Sequence, residues 1–483
     1  MVNSLNNDFV DEVAAPTRDY VKALKTDTNT FLEFLRRNAN FSNDYEALLA
    51  IWTQDHTFEQ SEYFRERKKK IIYDYTMSVK TGKLLQNADN LVICGSPYAM
   101  LLHSVGEDVS KDCTFDVEED AIQCYSERFD DGEYLAEFRN PFNSQNNLGY
   151  LHNRLHPLIK KYFRFGKLCI AVNLQGTSFC DRNNGSDQDS DSIYTTNAPA
   201  IVAHAKYCYK VYPTIVNNIP KSKKSYDSSP AAFALMDNNL SASQRNIGES
   251  SNLAQVCLTY TYNYPDQKYK DYACILAVLA QAAIDSSKRT FSIDITNEIK
   301  RIRADIGIKD NKYPPFWQQI RKGFPTNRIN FKLDSPMCRL YKMEFESYKP
   351  TTETIPTADF FKKFPLDLNR KTSRSVEELI QKFQLELLES RIDKDECTTD
   401  IESYLLLRED FDQLVDEIRR VALPSKYIGL FSWLLDRAFI MTPQMEQQTA
   451  GLKSKLNKNR AILLRVLYEV NPEALLKCFS KNL

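Results

Sequence analysis

The sequence has no excess of charge of either sign: 63 lysines and arginines stand against 64 aspartates and glutamates in 483 residues. That balance excludes a global basic field of the kind that by itself marks a nucleic-acid binder, so any phosphate-binding groove must be local. The 11 cysteines include no C-x-x-C pair, and His56, His103, His152, His156 and His204 show no zinc-ligand spacing with them. Reduced, mostly buried thiols of a cytoplasmic protein fit this usage. His152 and His156 are four apart, which would align them on a helix, but H-E-x-x-H is absent and Pro157 is expected to end the run. No stretch reaches the length of a membrane span, and Met1 to Asp8 lacks the charged-then-apolar order of a signal peptide. A soluble, intracellular chain with no membrane partner is expected, and no internal repeat is evident.

What the chain does have is enough length to bury a sizeable core, divided over two or three domains. Its 26 tyrosines and 27 phenylalanines suit such a core and also base-stacking platforms, with core packing the expected use. Residues 1–75 read as helical, with Phe31, Leu32, Phe34 and Leu35 recurring between charges. Within them Arg65 to Lys70 carries five basic residues, either a solvated helix face or a local phosphate contact. Over 76–200 the texture changes to short β-branched or aromatic runs, Leu91 to Cys94 and Leu168 to Leu174, broken by Gly95-Ser96-Pro97 and Gly166, as strands of a barrel would be. Residues 201–330 turn helical again around Ala231 to Leu240 and Leu253 to Leu258, with Lys221, Lys223 and Lys224 as a basic cluster. Residues 331–371 read as a proline-punctuated linker. Residues 372–483 read as a helical domain that packs on the core or clamps nucleic acid, its first helix capped by Ser375 with Glu378 as a capping box.

The most distinctive stretch is Asn183-Asn184-Gly185-Ser186-Asp187-Gln188-Asp189-Ser190-Asp191. In an extended or tightly curved segment, residues two apart point the same way, so Asp187, Asp189 and Asp191 can converge. Two carboxylates ~4 Å apart repel by about 1 kcal/mol in water and by several times that in a less polar setting. Three of them need a cation or full solvation, and oxygen ligands favour magnesium, manganese or calcium over zinc. An EF-hand is excluded: counting from Asp187, its obligatory glycine and bidentate glutamate fall on Ser192 and Ala198. The spacing leaves two readings, a cation site or a solvated turn rich in residues that tolerate left-handed backbone.

The order of segments around this loop resembles the catalytic core of the cell-encoded RNA-dependent RNA polymerases of the RNA-silencing type. That family carries an R-N-P-C segment, then a strand, then G-S-D-x-D-G-D. Here Arg139-Asn140-Pro141 precedes the strand-like Leu168 to Leu174 and the aspartate loop. Farther on, Asn246 to Ala254 is similar to the family's L-G-x-I-A-N-A-H segment, and Tyr272 to Ala283 with Ile284-Asp285-Ser286-Ser287-Lys288 to its leucine-rich helix and A-V-D-F-P-K block. Multisubunit DNA-dependent enzymes typically carry N-A-D-F-D-G-D, whereas this chain has Gly185-Ser186 before its first aspartate. The departures are Ser190 in place of the loop glycine, Phe142 in place of the R-N-P-C cysteine, and only about 180 residues ahead of the loop, where family members hold a second, lysine-bearing barrel.

The resemblance implies an α+β chain with a double-psi β-barrel catalytic core between helical N-terminal and C-terminal regions. It implies RNA-directed RNA synthesis by two-metal nucleotidyl transfer, with Asp187, Asp189 and Asp191 holding magnesium or manganese. Arg139 and Asn140 would meet the incoming nucleotide, and Lys80 and Lys83 would track phosphates. The implied partners are an RNA template, ribonucleoside triphosphates and a second polypeptide carrying the other barrel. A DNA-templated enzyme of the same barrel class and a catalytically incomplete nucleic-acid-binding homologue remain the alternatives.

Overall fold

The computed structural model describes residues 1–220, 228–286, 291–321, 323–392, 401–440 and 453–479. The Lys221, Lys223, Lys224 cluster and Ser287-Lys288 lie outside the described residues. The chain divides into two compact units: Met1–Arg18 with Met77–Glu344, and Asp19–Thr76 with Phe345–Leu483. Four helices open the sequence, α1 (Val10–Thr26), α2 (Thr28–Asn38), α3 (Tyr45–Gln54) and α4 (Glu62–Val79). Asp27 starts α2 by accepting the Asn29 and Thr30 backbone N–H groups, two of the donors that a helix leaves unpaired at its first turn.

The second unit is helical. Apolar positions of α2, α3 and α4 recur at helical spacing and share one core with the helices Arg370–Ile392, Ile401–Val421, Tyr427–Phe439 and Lys453–Val470. Phe31, Leu35, Leu48, Phe411, Phe431, Leu464 and Leu467 are buried in it, each worth about 1.5–3 kcal/mol relative to exposure. The helix expected to start at Ser375 starts earlier, at Arg370, and Ser375 lies inside it. Asn369 is met first and is as good a cap as serine; its side chain accepts the Lys371 N–H at 2.9 Å.

The first unit is built on a closed six-stranded barrel, so the chain is of mixed α+β class. Its strands are β1 (Ala88–Cys94), β2 (Ile122–Tyr125), β3 (Tyr134–Phe138), β4 (Gly149–Asn153), β5 (Cys169–Val172) and β6 (Ser192–Thr196), in the circular order β1-β5-β2-β4-β3-β6. β1 with β5 and β2 with β4 are parallel; the other four pairs are antiparallel. Exchanging β1 with β4, β2 with β5 and β3 with β6 reproduces the same six pairings with the same orientations. The barrel therefore has an internal two-fold in its ladder map, although the sequence shows no repeat. Alternate residues of every strand fill the interior: Leu91 and Ile93, Ile122 and Cys124, Leu135, Leu151, Ile170 and Val172, and Ile193.

The two symmetry-related connections, β1 to β2 and β4 to β5, each contain a short helix opened by proline, α5 (Pro97–Ser104) and α6 (Pro157–Tyr162). Pro157 thus begins a helix instead of ending one, because the first turn has no use for the N–H that proline lacks. The pair His152 and His156 does not share a helix face. His152 is on β4, with Nδ1 2.9 Å from Glu118, and the His156 ring caps α6. Helices α7 (Phe179–Arg182), α8 (Pro199–Val211), α9 (Pro230–Thr261), α10 (Lys268–Asp285) and α11 (Ile295–Asp305) complete the elements that matter below. The two helical segments expected around Ala231 and Leu253 are one continuous helix, α9. Among the described residues no helix is long and apolar enough to cross a membrane.

Candidate active site

The aspartates lie on the connection from β5 to β6. That connection is held by α7, whose Arg182 is buried and donates to the carbonyls of Leu148 (3.0 Å), Cys208 (3.2 Å) and Tyr212 (3.1 Å) while its guanidinium covers the Tyr209 ring. The chain then reverses through Asn184 (φ 54°) and Gly185 (φ 66°), and the Gly185 and Ser186 N–H groups both donate to the Cys180 carbonyl. Glycine is favoured at 185 by its positive φ, and a Cβ there would come within 1.9 Å of Nε2 of Gln281 on α10, so the Gln281 amide would have to move. At the other end the Asp191 carbonyl accepts the Ile93 N–H of β1 at 2.9 Å, which pins the third aspartate to the barrel.

Between these anchors Asp187, Asp189 and Asp191 converge, with one carboxylate oxygen from each lying within 4.8 Å of the other two. Asp187 and Asp189 are exposed and Asp191 is half-buried. Arg139, immediately after β3, reaches the same point. Its Nη2 donates to Asp191 Oδ1 at 2.7 Å, and the Asp187 N–H donates to Asp191 Oδ2 at 3.0 Å. Asp191 is thereby oriented by a cation on one oxygen and a backbone N–H on the other.

Beneath the loop is a buried polar layer. The Arg139 N–H donates to Asn183 Oδ1 (3.1 Å), and Asn183 Nδ2 donates to Glu137 Oε1 (3.0 Å). Glu137 is fully buried, and burial pushes its carboxyl up to about 7, against the pull of the Asn183 bond and of nearby Arg182. In the barrel register Glu137 faces Gly149 on β4 and Thr195 on β6. A Cβ on Gly149 would fall 1.8 Å from Glu137 Oε1, so only glycine leaves room for the carboxylate. Glu137 Oε2, Thr195 Oγ1 and Ser186 Oγ are buried without hydrogen-bond partners among the described residues.

The structure brings together Asp187, Asp189, Asp191 and Arg139. Asn140 is exposed, follows Arg139 in the chain and precedes a cis peptide to Pro141. Lys80 Nζ stands over the Tyr341 ring and Lys83 is exposed; neither bonds to the aspartates among the described residues. Glu137, Asn183 and Gln281 are additions to the residues read from the sequence. The one available signal was a lone acidic residue at an inward position of the otherwise apolar strand Tyr134–Phe138.

Three carboxylates with oxygen donors fit a hard divalent cation. Oxygens that share one magnesium ion lie at most about 4.2 Å apart, so the triad needs only small side-chain adjustments to hold one. The Ser186 hydroxyl, next to the first aspartate in the chain, is buried without a partner among the described residues. Ser190, between the second and third aspartates, has φ 104°, a conformation that favours glycine. Relief of about 1–3 kcal/mol of backbone strain, set against about 0.4–1 kcal/mol of unfolded-chain entropy, predicts that Ser190→Gly stabilises the protein by about 1 kcal/mol. Urea denaturation of the two proteins checks this; a destabilised variant would mean that the serine side chain holds the turn.

Among solved structures the chain is similar to the RNA-dependent RNA polymerase QDE-1 from Thielavia terrestris, with 11% identity, a TM-score of 0.45, and coverage of 99% of this chain and 55% of that one. The chain spans about half the length of that polymerase. No protein-family model matches it, and no curated protein sequence does.

Proposed function

We propose that this chain is the core of an RNA-directed RNA polymerase, a magnesium- or manganese-dependent nucleotidyltransferase built on a double-psi β-barrel. The observation that carries the reading is the convergence of Asp187, Asp189 and Asp191 on a loop pinned to the barrel at both ends, with Arg139 locked on the third aspartate. Two further features support it. The closed six-stranded barrel, with its parallel pairs β1–β5 and β2–β4 exchanged by the internal two-fold, agrees with the double-psi barrel that the resemblance implies. The order of R-N-P, strand and G-S-D-x-D-x-D along the chain is that of the silencing-type family.

Each residue has a task in this reading. Asp187 and Asp189 hold the divalent cation from the solvent side, and Asp191 completes the set in the single orientation that Arg139 and the Asp187 N–H allow. Bound there, the cation supplies the Lewis acidity that activates a ribose 3′-hydroxyl and neutralises charge on the reacting phosphate. Arg139 spends one donor on Asp191 and one, more loosely, on the Asn184 carbonyl at 3.5 Å, and its remaining donors would meet the charge of an incoming triphosphate. Asn140, exposed beside it, and Lys80 and Lys83 are proposed as contacts to the nucleotide and to phosphates of the RNA. Glu137 and Asn183 touch no substrate; they set the position of Arg139.

The test is nucleotide incorporation by the purified chain with magnesium or manganese on matched single-stranded RNA and DNA templates, beside Asp189→Asn. Incorporation on RNA that is lost in the variant is the expected result. Preference for DNA would move the enzyme to the DNA-templated class. The second reading is a catalytically incomplete nucleic-acid-binding homologue, or one half of a two-polypeptide enzyme. Absence of incorporation on either template would select it.

A further inference from the structure

The basic run Arg65 to Lys70 on α4 has no part in the barrel site, and its residues separate by what they face. Arg67 forms a buried ion pair with Asp44, Nε to Oδ2 at 2.9 Å, and Lys70 pairs with Asp74. Lys69 is exposed. Arg65 and Lys68, three residues apart and so on one face of the helix, instead line a cavity of about 670 Å³ within the second unit. Lys25 and Lys349 line the same cavity, together with the hydroxyl-bearing Thr26, Thr28, Ser347 and Thr351, and the acidic residues there are Glu59 and Glu346.

Arg65 is 7% exposed and Lys68 5%. Neither forms an ion pair with a carboxylate among the described residues. The Arg65 guanidinium donates to the Thr352 carbonyl and hydroxyl and to Thr354 Oγ1, all neutral acceptors, and its Nε is buried without a partner among the described residues. The Lys68 ammonium stands over the faces of Phe31 and Tyr348, with ring centroids 5.0 and 5.1 Å from Nζ. Cations this deeply buried are normally paired, because desolvation disfavours the charged form. Burial holds both the Lys68 and Lys25 ammonium groups below the ordinary lysine range, with Glu59 and Asp27 opposing this at Lys68 and Glu346 at Lys25. Two lysines, an arginine and a fourth cation at the rim, set among hydroxyls, form a complement to a multiply charged oxyanion. The volume suits a small molecule and not a polymer strand.

We propose that this cavity is a binding site for a polyphosphate group, carried by a nucleoside triphosphate or free, distinct from the aspartate loop. Lys68 and Arg65 supply buried charge at its floor. Lys25 and Lys349 close on the outer phosphate.

The experiment is titration calorimetry of the full chain in EDTA, in the Asp187→Asn/Asp189→Asn background so that metal-dependent binding at the loop does not contribute. The probes are inorganic tripolyphosphate and GTP. One saturable site is expected for both, weakened at least about tenfold by Lys68→Met and by Lys25→Ala/Lys349→Ala, and unchanged by Lys69→Met. Equal affinity for the two probes would identify the polyphosphate as the whole determinant, and tighter GTP would add contacts to the nucleoside. Lys68→Met keeps the buried alkyl chain, so its Tm without ligand should rise while the rise that tripolyphosphate gives the parent protein disappears. A purely structural Lys68 would instead lower Tm. No binding of either probe, or binding indifferent to both sets of substitutions, would overturn the proposal.

Discussion

Replacing Glu137 with glutamine is expected to stabilise the protein by about 3 kcal/mol at pH 8 and to remove a pH dependence that the parent shows between about pH 5 and 7. The sign follows from the carboxyl being pushed up to about 7 from an ordinary 4.5 by burial. In that window the folded protein retains a proton that the unfolded chain has released. The contribution is therefore fully present below the unfolded value, is lost as pH rises through the folded one, and stays lost above it. A protonated Glu137 also offers a donor to a layer where Thr195 Oγ1 has no partner among the described residues, and the glutamine amide offers the same at every pH. His204 runs the other way: burial pushes its imidazole down to about 4, so its contribution is lost as pH falls from about 6.5 toward 4. Urea denaturation of both proteins at pH 5, 6, 7 and 8 isolates Glu137, because the difference between the curves cancels His204. A difference that does not change with pH would show that the buried carboxylate does not titrate in this range.

Glu137 also marks the limit of what could be read from the sequence. The convergence of Asp187, Asp189 and Asp191 is legible because alternation in a segment poor in apolar residues is a local pattern, and the strands around Leu91 and Leu168 are legible for the same reason. The chain from Asn183 to Glu137 to Gly149 is not. It depends on β3 lying beside both β4 and β6, a register that no local signal states. Gln281 is hidden likewise, being one polar residue of an amphipathic helix until α10 brings it against Gly185. The structure departs from the sequence expectation at Ser375 and at Pro157 because two signals compete there within a few residues. The shared core of α2 to α4 with the last four long helices could not be anticipated at all, because hydrophobic periodicity says that a face is buried and not against what.

The largest effect is expected from Asp187→Asn/Asp189→Asn. Nucleotide incorporation should fall by about 10³-fold or more, because the loss of a cation that stabilises the reacting phosphate removes several kcal/mol from the transition state. Stability without metal should change by no more than about 1 kcal/mol, because both carboxylates are exposed. Two exposed carboxylates beside a third repel by about 1 kcal/mol per pair in a watery setting, which asparagine relieves, and the surface contacts that Asp187 and Asp189 make elsewhere are worth a similar amount. The cation makes the two effects separable. Manganese should raise the Tm of the parent by mass action and leave the double variant unmoved, since a ligand stabilises only the protein that binds it. Asp191→Asn should behave differently. It removes the negative partner of Arg139, whose side chain is only 17% exposed, and a largely buried guanidinium left facing a neutral amide is expected to cost about 1–3 kcal/mol without metal. Thermal denaturation of the two variants in EDTA and in manganese reads both predictions at once. If Asp191→Asn proves harmless and the double variant unstable, Asp191 is not the fixed member of the triad, and the orientation of the site must come from Asp187 and Asp189 instead.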